Sequence, residues 1–450
     1  MSQHYSVAVR LRKFPFPYKA AFTICSDIDG TSFENFLEIH RFLNSTRTTS
    51  LGKGLGLEIG DSFWFYSKPG SPDHAFAYFD ETNRHPSPCA EIMRELMRAG
   101  FLDVMHSYGN FSEPHGFKQP GERQIFSRVL AEKALNELAK IGVMIRTWVN
   151  HGDHFNIQNV GSDFVGALGD CTKLPTENEN PAYHTDLLVA SGAKFFWETE
   201  DAVTNIVGQD RLCSFWEAYA TNVALRSGKE KFKNAIKGIG TAANQITRPF
   251  TNKQWFPYQA YFGKNRLLES WTLRDGQRVF KFRRYGSGRW DWGDDVPLVV
   301  NEKILDHLID VEGACILYVH LGDRRDRSDG LPLSMETVET LKMLARKFYE
   351  GKIWVTTTSR FLTYCAIRDA LRWHDEPSGD QHLIYIDGVD SDVISKDLLT
   401  VENLQGLTFY TPEPAKTQIV FKNALLPLAR NTVEPSSVSI PFQRLEFPMV

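Results

Sequence analysis

The chain predicts an α/β protein in which strands and helices alternate into a closed or nearly closed (β/α) barrel, followed by a small all-β module. Three observations predict this. Apolar runs of strand length alternate with amphipathic helical runs through most of residues 1–372, as they do when a parallel sheet is wrapped in helices. At 450 residues and 42% hydrophobic, the chain can bury one large core and an accessory unit. Beyond RWHDEPSGD (372–380), read as a polar, turn-rich linker, only short strand-like runs remain: HLIYIDG, GLTFYT, TQIVFKN and SVSIP. These predict a β-sandwich-like module over 381–450.

The first strand is AAFTICSDIDG (20–30), and Phe33 to Leu43 follows as a helix. GLEIGDSFWFY (56–66) holds a second strand, expected to end near Asp61. Ser87, Pro88 and Gly100 punctuate a helix with Ile92 and Leu96 on one face. FLDVMHSYGNF (101–111) is the third strand. Arg123 to Ile141 carries Phe126, Leu130, Ala134, Leu138 and Ile141 along one face, an amphipathic helix closed by Gly142. Strand 142–154, helix 184–192, strand 193–201, strand 311–323, helix 334–351 and strand 352–361 complete the alternation. Residues 202–300 are long for one crossover and predict an insertion rich in Trp, Tyr and Arg.

Composition excludes several classes of function. Lys and Arg number 51 against 55 Asp and Glu, a net charge of −4 with no block of one sign, so a general electrostatic grip on nucleic acid or an anionic membrane is not expected. The first twenty residues lack the apolar centre of a signal peptide, and no stretch reaches membrane-span length. Six scattered cysteines without CxxC spacing argue against a disulfide framework. A cytoplasmic protein with free thiols is expected.

The chemistry gathers at the strand ends. Asp27 and Asp29 close the first strand two residues apart, and residues two apart in a strand point the same way. The pair predicts either a cation site or a Ser-Asp-x-Asp-Gly turn bonded to its own backbone. Further along, strand ends carry His106 and Asn110, then His151, Asp153 and His154, then Glu198 and Glu200, then His320. Hard oxygen and imidazole donors at successive strand ends point to a metal site flanked by acid and base groups.

This pattern resembles the NodB-type polysaccharide deacetylases of carbohydrate esterase family 4, over roughly residues 18–368. SDIDG is similar to the family's first acidic motif, and HSYGN half matches its metal motif, with Asn110 standing where a second His is expected. RTWVNHGD approximates the arginine-plus-aromatic motif, and ILYVHLG the last histidine motif. The resemblance implies a distorted (β/α) barrel and a divalent ion, expected to be zinc. Asp29, His106 and Asn110 would be its ligands, Asp27 the general base, His320 the general acid and Arg146 the partner that orients the base. Asp27 and Asp29 could exchange roles. Trp148, Trp197 and His151 are expected to contact the substrate, and His115, His151 or His154 could replace the missing imidazole. The aromatics of 244–300 could form a platform for sugar rings.

The implied function is removal of an N-acyl group from a sugar or glycan precursor, in surface polysaccharide or O-antigen synthesis. The alternative is a catalytically impaired relative that binds a glycan or acts as a scaffold.

Overall fold

The structure is a computed structural model. It describes residues 9–450 apart from 68–74, 110, 112–125, 152–157, 161–181, 198–202, 205, 213–219, several positions between 222 and 240, and 241–263, 274, 287–290, 324–328 and 395–397.

Two mainly parallel sheets carry the core. One runs in the order Ile353–Val355, Ala20–Ser26, Ala314–Val319, Arg284–Tyr285, Val203–Thr204, with all neighbours parallel. The other runs Leu268–Thr272, Arg278–Phe282, Phe195–Trp197, Thr147–Val149, Leu102–His106, Asp61–Phe63, and only its first pair is antiparallel. Arg278–Phe282 and Arg284–Tyr285 are one run of chain with a single residue between them, and it bonds to both sheets. No hydrogen-bonded ring closes among the described residues.

Residue parity decides what each strand does. Ala21, Cys25, Val104, Val149, Phe195, Trp197, Phe282 and Ile316 share one buried cluster, to which both sheets contribute. The alternate positions turn outward to the helices. Phe22, Ile24, Leu317 and Val319 pack with Phe42 and Leu43 of helix Phe33–Asn44, Leu305 and Leu308 of helix Glu302–Asp310, and Leu341 and Leu344 of helix Met335–Tyr349. Met105, Trp148 and Phe196 pack with Met93 and Leu96 of helix Ala90–Arg98 and with Ala134 and Leu138 of helix Arg128–Lys140. Three of these helices begin at side chains that accept from the first turn, Ser32 from Asn35, Asn301 from Ile304 and Ser334 from Thr337.

Several expectations need correction. Asp61 begins its strand rather than ending it, because the β-forming run is the DSFWF that follows. Its carboxylate meets His40 Nε2 at 2.9 Å inside the core. Residues 352–361 are strand only to Val355; Thr358 opens helix Thr358–Ala370, whose Phe361, Leu362 and Cys365 join the inner cluster. Within 202–300, the hairpin Leu268–Thr272 and Arg278–Phe282 and the strand Arg284–Tyr285 belong to the main sheets rather than to a separate excursion.

The polar run 372–380 is not a linker. Leu371–Ser378 and Gln381–Val389 form a hairpin whose turn Gly379 has φ +61°. The polar residues are tolerated because Leu371–Ser378 is an edge strand, which also admits Pro377. Thr417–Phe421 and Ala424–Leu425 extend this sheet, and a second sheet orders Arg10–Leu11, Thr408–Tyr410, Ser437–Ser439 and Ala429–Asn431. Cys25, Cys89 and Cys365 are free. No helix among the described residues is long and apolar enough to cross a membrane.

Asp103 is a buried carboxyl that the fold must accommodate. Its Oδ2 accepts from Ser359 N at 2.6 Å near the start of helix Thr358–Ala370, while Oδ1 has no hydrogen-bond partner. Gly60 is required beside it, since a Cβ there would lie 2.1 Å from Oδ1. Burial, helped by the charge of Asp61 and opposed by bonds from Ser359 and Thr357, pushes the Asp103 carboxyl up to about 7. The folded value is raised, so this group's contribution to stability is complete below about pH 4 and is lost as the pH climbs to about 7. The loss amounts to about 4 kcal/mol in that window. Asp103→Asn keeps an acceptor for Ser359 and removes the titration. Urea unfolding should therefore show the variant gaining on the parent between pH 4 and 7, and equal slopes for the two proteins would contradict this account.

Candidate active site

The inward parity of the core strands continues past their carboxyl ends. Cys25 leads to Asp27, Val104 to His106, Val149 to His151, Phe282 to Arg284, and Ile316 through Tyr318 to His320. One alternation that fills the core below with apolar side chains thus delivers polar ones above. All of these polar side chains are at most 5% exposed.

Asp29 is the centre of the cluster. His106 Nε2 lies 2.9 Å from its Oδ2 and His151 Nε2 2.5 Å from its Oδ1. His320 Nε2 is 3.7 Å from Oδ2. Asp27 stands to one side, with Oδ1 3.7 Å from His106 Nδ1. Local backbone sets these positions. Asp27 N extends the ladder to Val319 O at 2.8 Å, Gly30 turns the chain with φ +67°, and Ser107 takes φ +51° directly after His106. SDIDG is therefore a turn and a convergence of carboxylates together.

Arg284 is the residue that sequence reasoning missed. Its guanidinium grips Asp27 in a fork, Nη1 to Oδ1 at 2.5 Å and Nη2 to Oδ2 at 3.0 Å. It also donates to Cys25 O at 3.2 Å. The Trp197 and Tyr318 rings cover it, their centroids 3.8 Å and 4.4 Å from the guanidinium carbon. A signal was present: LESWTLRDGQRVFKF has two alternating runs around Asp-Gly, a strong hairpin pattern. Read as an insertion, the run left Arg284 unplaced.

Arg146 does not orient Asp27. It precedes strand Thr147–Val149, at the end away from the cluster, with the outward parity that it shares with Trp148. Trp148 is fully buried against Tyr108 and His184 and bonds Asn150 through Nε1, so it is core rather than a substrate contact. Trp197 backs Arg284. His151 joins Asp29 instead of standing in a substrate cleft. Asn110, His115, Asp153, His154, Glu198, Glu200, Trp255, Tyr258, Tyr261 and Trp290 lie outside the described residues. Of the remaining aromatics of 244–300, Trp271 packs at the edge of the outer core, and Trp292 donates to Asp323 at 3.0 Å.

Electrostatics distinguish the groups. Burial raises both aspartates, but Arg284 and His106 overcome it at Asp27, and His151 and His106 hold Asp29 well below the usual carboxylate range. Burial lowers His106, yet Asp27 and Asp29 leave it raised. At His320 burial prevails and its pKa is lowered. His320 Nδ1 faces the carbonyl of Asp291 at 3.4 Å, an atom that only accepts, so Nε2 is the nitrogen turned to Asp29.

The donor set fits a divalent cation. The ligand atoms of Asp29, His106 and His151 lie within 4.8 Å of one another, as do those of Asp27, Asp29 and His320. His106 Nδ1 is buried without a hydrogen-bond partner, an atom that water or a ligand would ordinarily satisfy. One carboxylate with two imidazoles suits zinc and its first-row neighbours. Compared with family models, curated proteins and solved structures, the chain matches none.

The Arg284–Asp27 pair should reveal itself in stability. Arg284→Met leaves Asp27 charged and buried, which costs about 3–5 kcal/mol. Adding Asp27→Asn removes the stranded charge, so the double variant should be more stable than the sum of the two single losses implies. Chemical denaturation of all four proteins measures the coupling, and strict additivity would show that the fork contributes nothing.

Proposed function

We propose that this chain is a metal-dependent N-deacylase acting on an acylated sugar or glycan precursor, built on a distorted (β/α) barrel of the NodB type. The observation that supports it best is the convergence of His106 and His151 on Asp29, with Asp27 beside Asp29 at the same strand end and His320 at another. In this reading Asp29, His106 and His151 hold the ion, so the second imidazole comes from the next strand rather than from position 110. A zinc ion held there would polarise an amide carbonyl and acidify a water.

The chain's own groups would do the rest. Asp27 accepts the water's proton as its attack proceeds, and Arg284 fixes the carboxylate so that it cannot turn away. His320, whose Nδ1–H faces Asp291 O and whose Nε2 is therefore bare in the neutral ring, would take a proton from solvent at Nε2 and pass it to the departing amine. A cytoplasmic role in surface polysaccharide assembly belongs to the same proposal.

A second reading is favoured by the burial of every member of the cluster. Groups at most 5% exposed suit a structural ion in a protein that only binds glycan. Substitution separates the two readings. Asp29→Asn and His151→Ala should each lose bound zinc on gentle purification. Asp27→Asn should keep it and lose acetate release from N-acetylated oligosaccharides. His320→Ala should keep the ion and lower turnover by roughly 10²–10⁴-fold. A zinc-loaded parent that releases no acetate from any such oligosaccharide would favour the binder, and a parent without stoichiometric metal would remove both readings.

A further inference from the structure

The other ends of strands Leu102–His106 and Thr147–Val149 border a cavity of about 570 Å³. One wall is the approach to those strands, including Arg146; another is Trp354 with the start of helix Thr358–Ala370; a third is the extended segment around Phe442. The proposed chemistry uses none of these residues.

Arg146 is the anomaly. Among the described residues, Arg283 faces Glu269, Arg284 faces Asp27, Arg360 faces Glu58, and Arg368 faces Asp210 and Asp369. Arg146 is half-buried, its Nε has no partner, and no charge acts on it; burial alone lowers its pKa. A guanidinium withdrawn from water without a counter-ion is unfavourable, and proteins ordinarily pair such a group. Asp103, Glu402 and Glu446 also line the cavity, but none forms an ion pair with Arg146: the two glutamates are exposed, and buried Asp103 accepts from Ser359 N instead.

A second observation agrees. Trp354 Nε1, Thr363 Oγ1 and Tyr364 Oη belong to cavity-lining residues at most 3% exposed, and none of the three atoms has a hydrogen-bond partner. All three can donate. Helix Thr358–Ala370 also borders the cavity through Thr357, Ser359 and Arg360, although its start is already met by Asp103, whose Oδ2 accepts from Ser359 N. An unpaired guanidinium and unused donors together make a donor-rich wall.

The geometry points to a second ligand site, in which Arg146 binds the phosphate or carboxylate of a small organic anion whose remaining polar atoms accept from Trp354, Thr363 and Tyr364. The site is separate from the metal cluster and does not depend on the deacylase reading. Arg is suited to this task because its planar fork matches both anions.

Two measurements on the full chain test it, with inorganic phosphate and citrate as probes. Calorimetric titration should show saturable binding of at least one probe. Arg146→Gln should weaken it by about tenfold or more, and Arg146→Lys by less, since charge is kept and the fork lost. Independently, the bound anion should protect Arg146 of the unaltered protein from phenylglyoxal, as read by peptide mass mapping, while exposed Arg278 continues to react. Absence of saturable binding by either probe, unchanged affinity in Arg146→Gln, or equal labelling of Arg146 with and without anion would each overturn the assignment. Loss of acetate release would leave it standing.

Discussion

The structure depends on one run of chain that belongs to two sheets. Arg278–Phe282 lies beside Phe195–Trp197, and after one residue Arg284–Tyr285 lies beside Ala314–Val319. That seam carries the chain directly from the hydrogen-bond ladder of one sheet into that of the other. The seam also carries Arg284, whose fork holds the carboxylate at the end of the first strand. Architecture and site are therefore fixed by the same few residues, which is why a buried cation is tolerated there. Its fork satisfies Asp27, and two aromatic faces replace the water that it has lost.

Much of this was legible in the sequence because parallel strands write a simple code. Runs such as AAFTICS and ACILYV are apolar on both faces because both faces are buried, and their ends turn polar where the core stops. Asp27, Asp29, His106 and His320 could be found by that rule alone. The parity rule also separates His151 from Trp148: they occupy opposite faces of the same short segment, and only the first faces inward.

What escaped reading did so for physical reasons. Arg284 follows a hairpin inside an aromatic-rich stretch, and a two-residue strand carries too little periodicity to announce itself. Arg146 fits a motif of residue types, but one step of register places it on the other face. Helix Thr358–Ala370 was hidden behind a threonine run, whose β-branched residues favour strands until helix-end and packing contacts override them. The strand at 371–378 looks like a linker because edge strands keep polar side chains, and burial, the usual signal, is missing.

The sheet that joins Arg10–Leu11 to Thr408–Tyr410 has a consequence for how the molecule is made. Translation is vectorial, and domains that rely on local contacts can settle while the rest of the chain is still being synthesised. Here a strand near residue 10 must wait for a partner near residue 410, and closing so long a loop is entropically slow. The β-module cannot be treated as an appendage that folds by itself. It works as a clasp, fastened only after nearly all of the two-sheet core has been synthesised, and it ties a strand near residue 10 to the β-module.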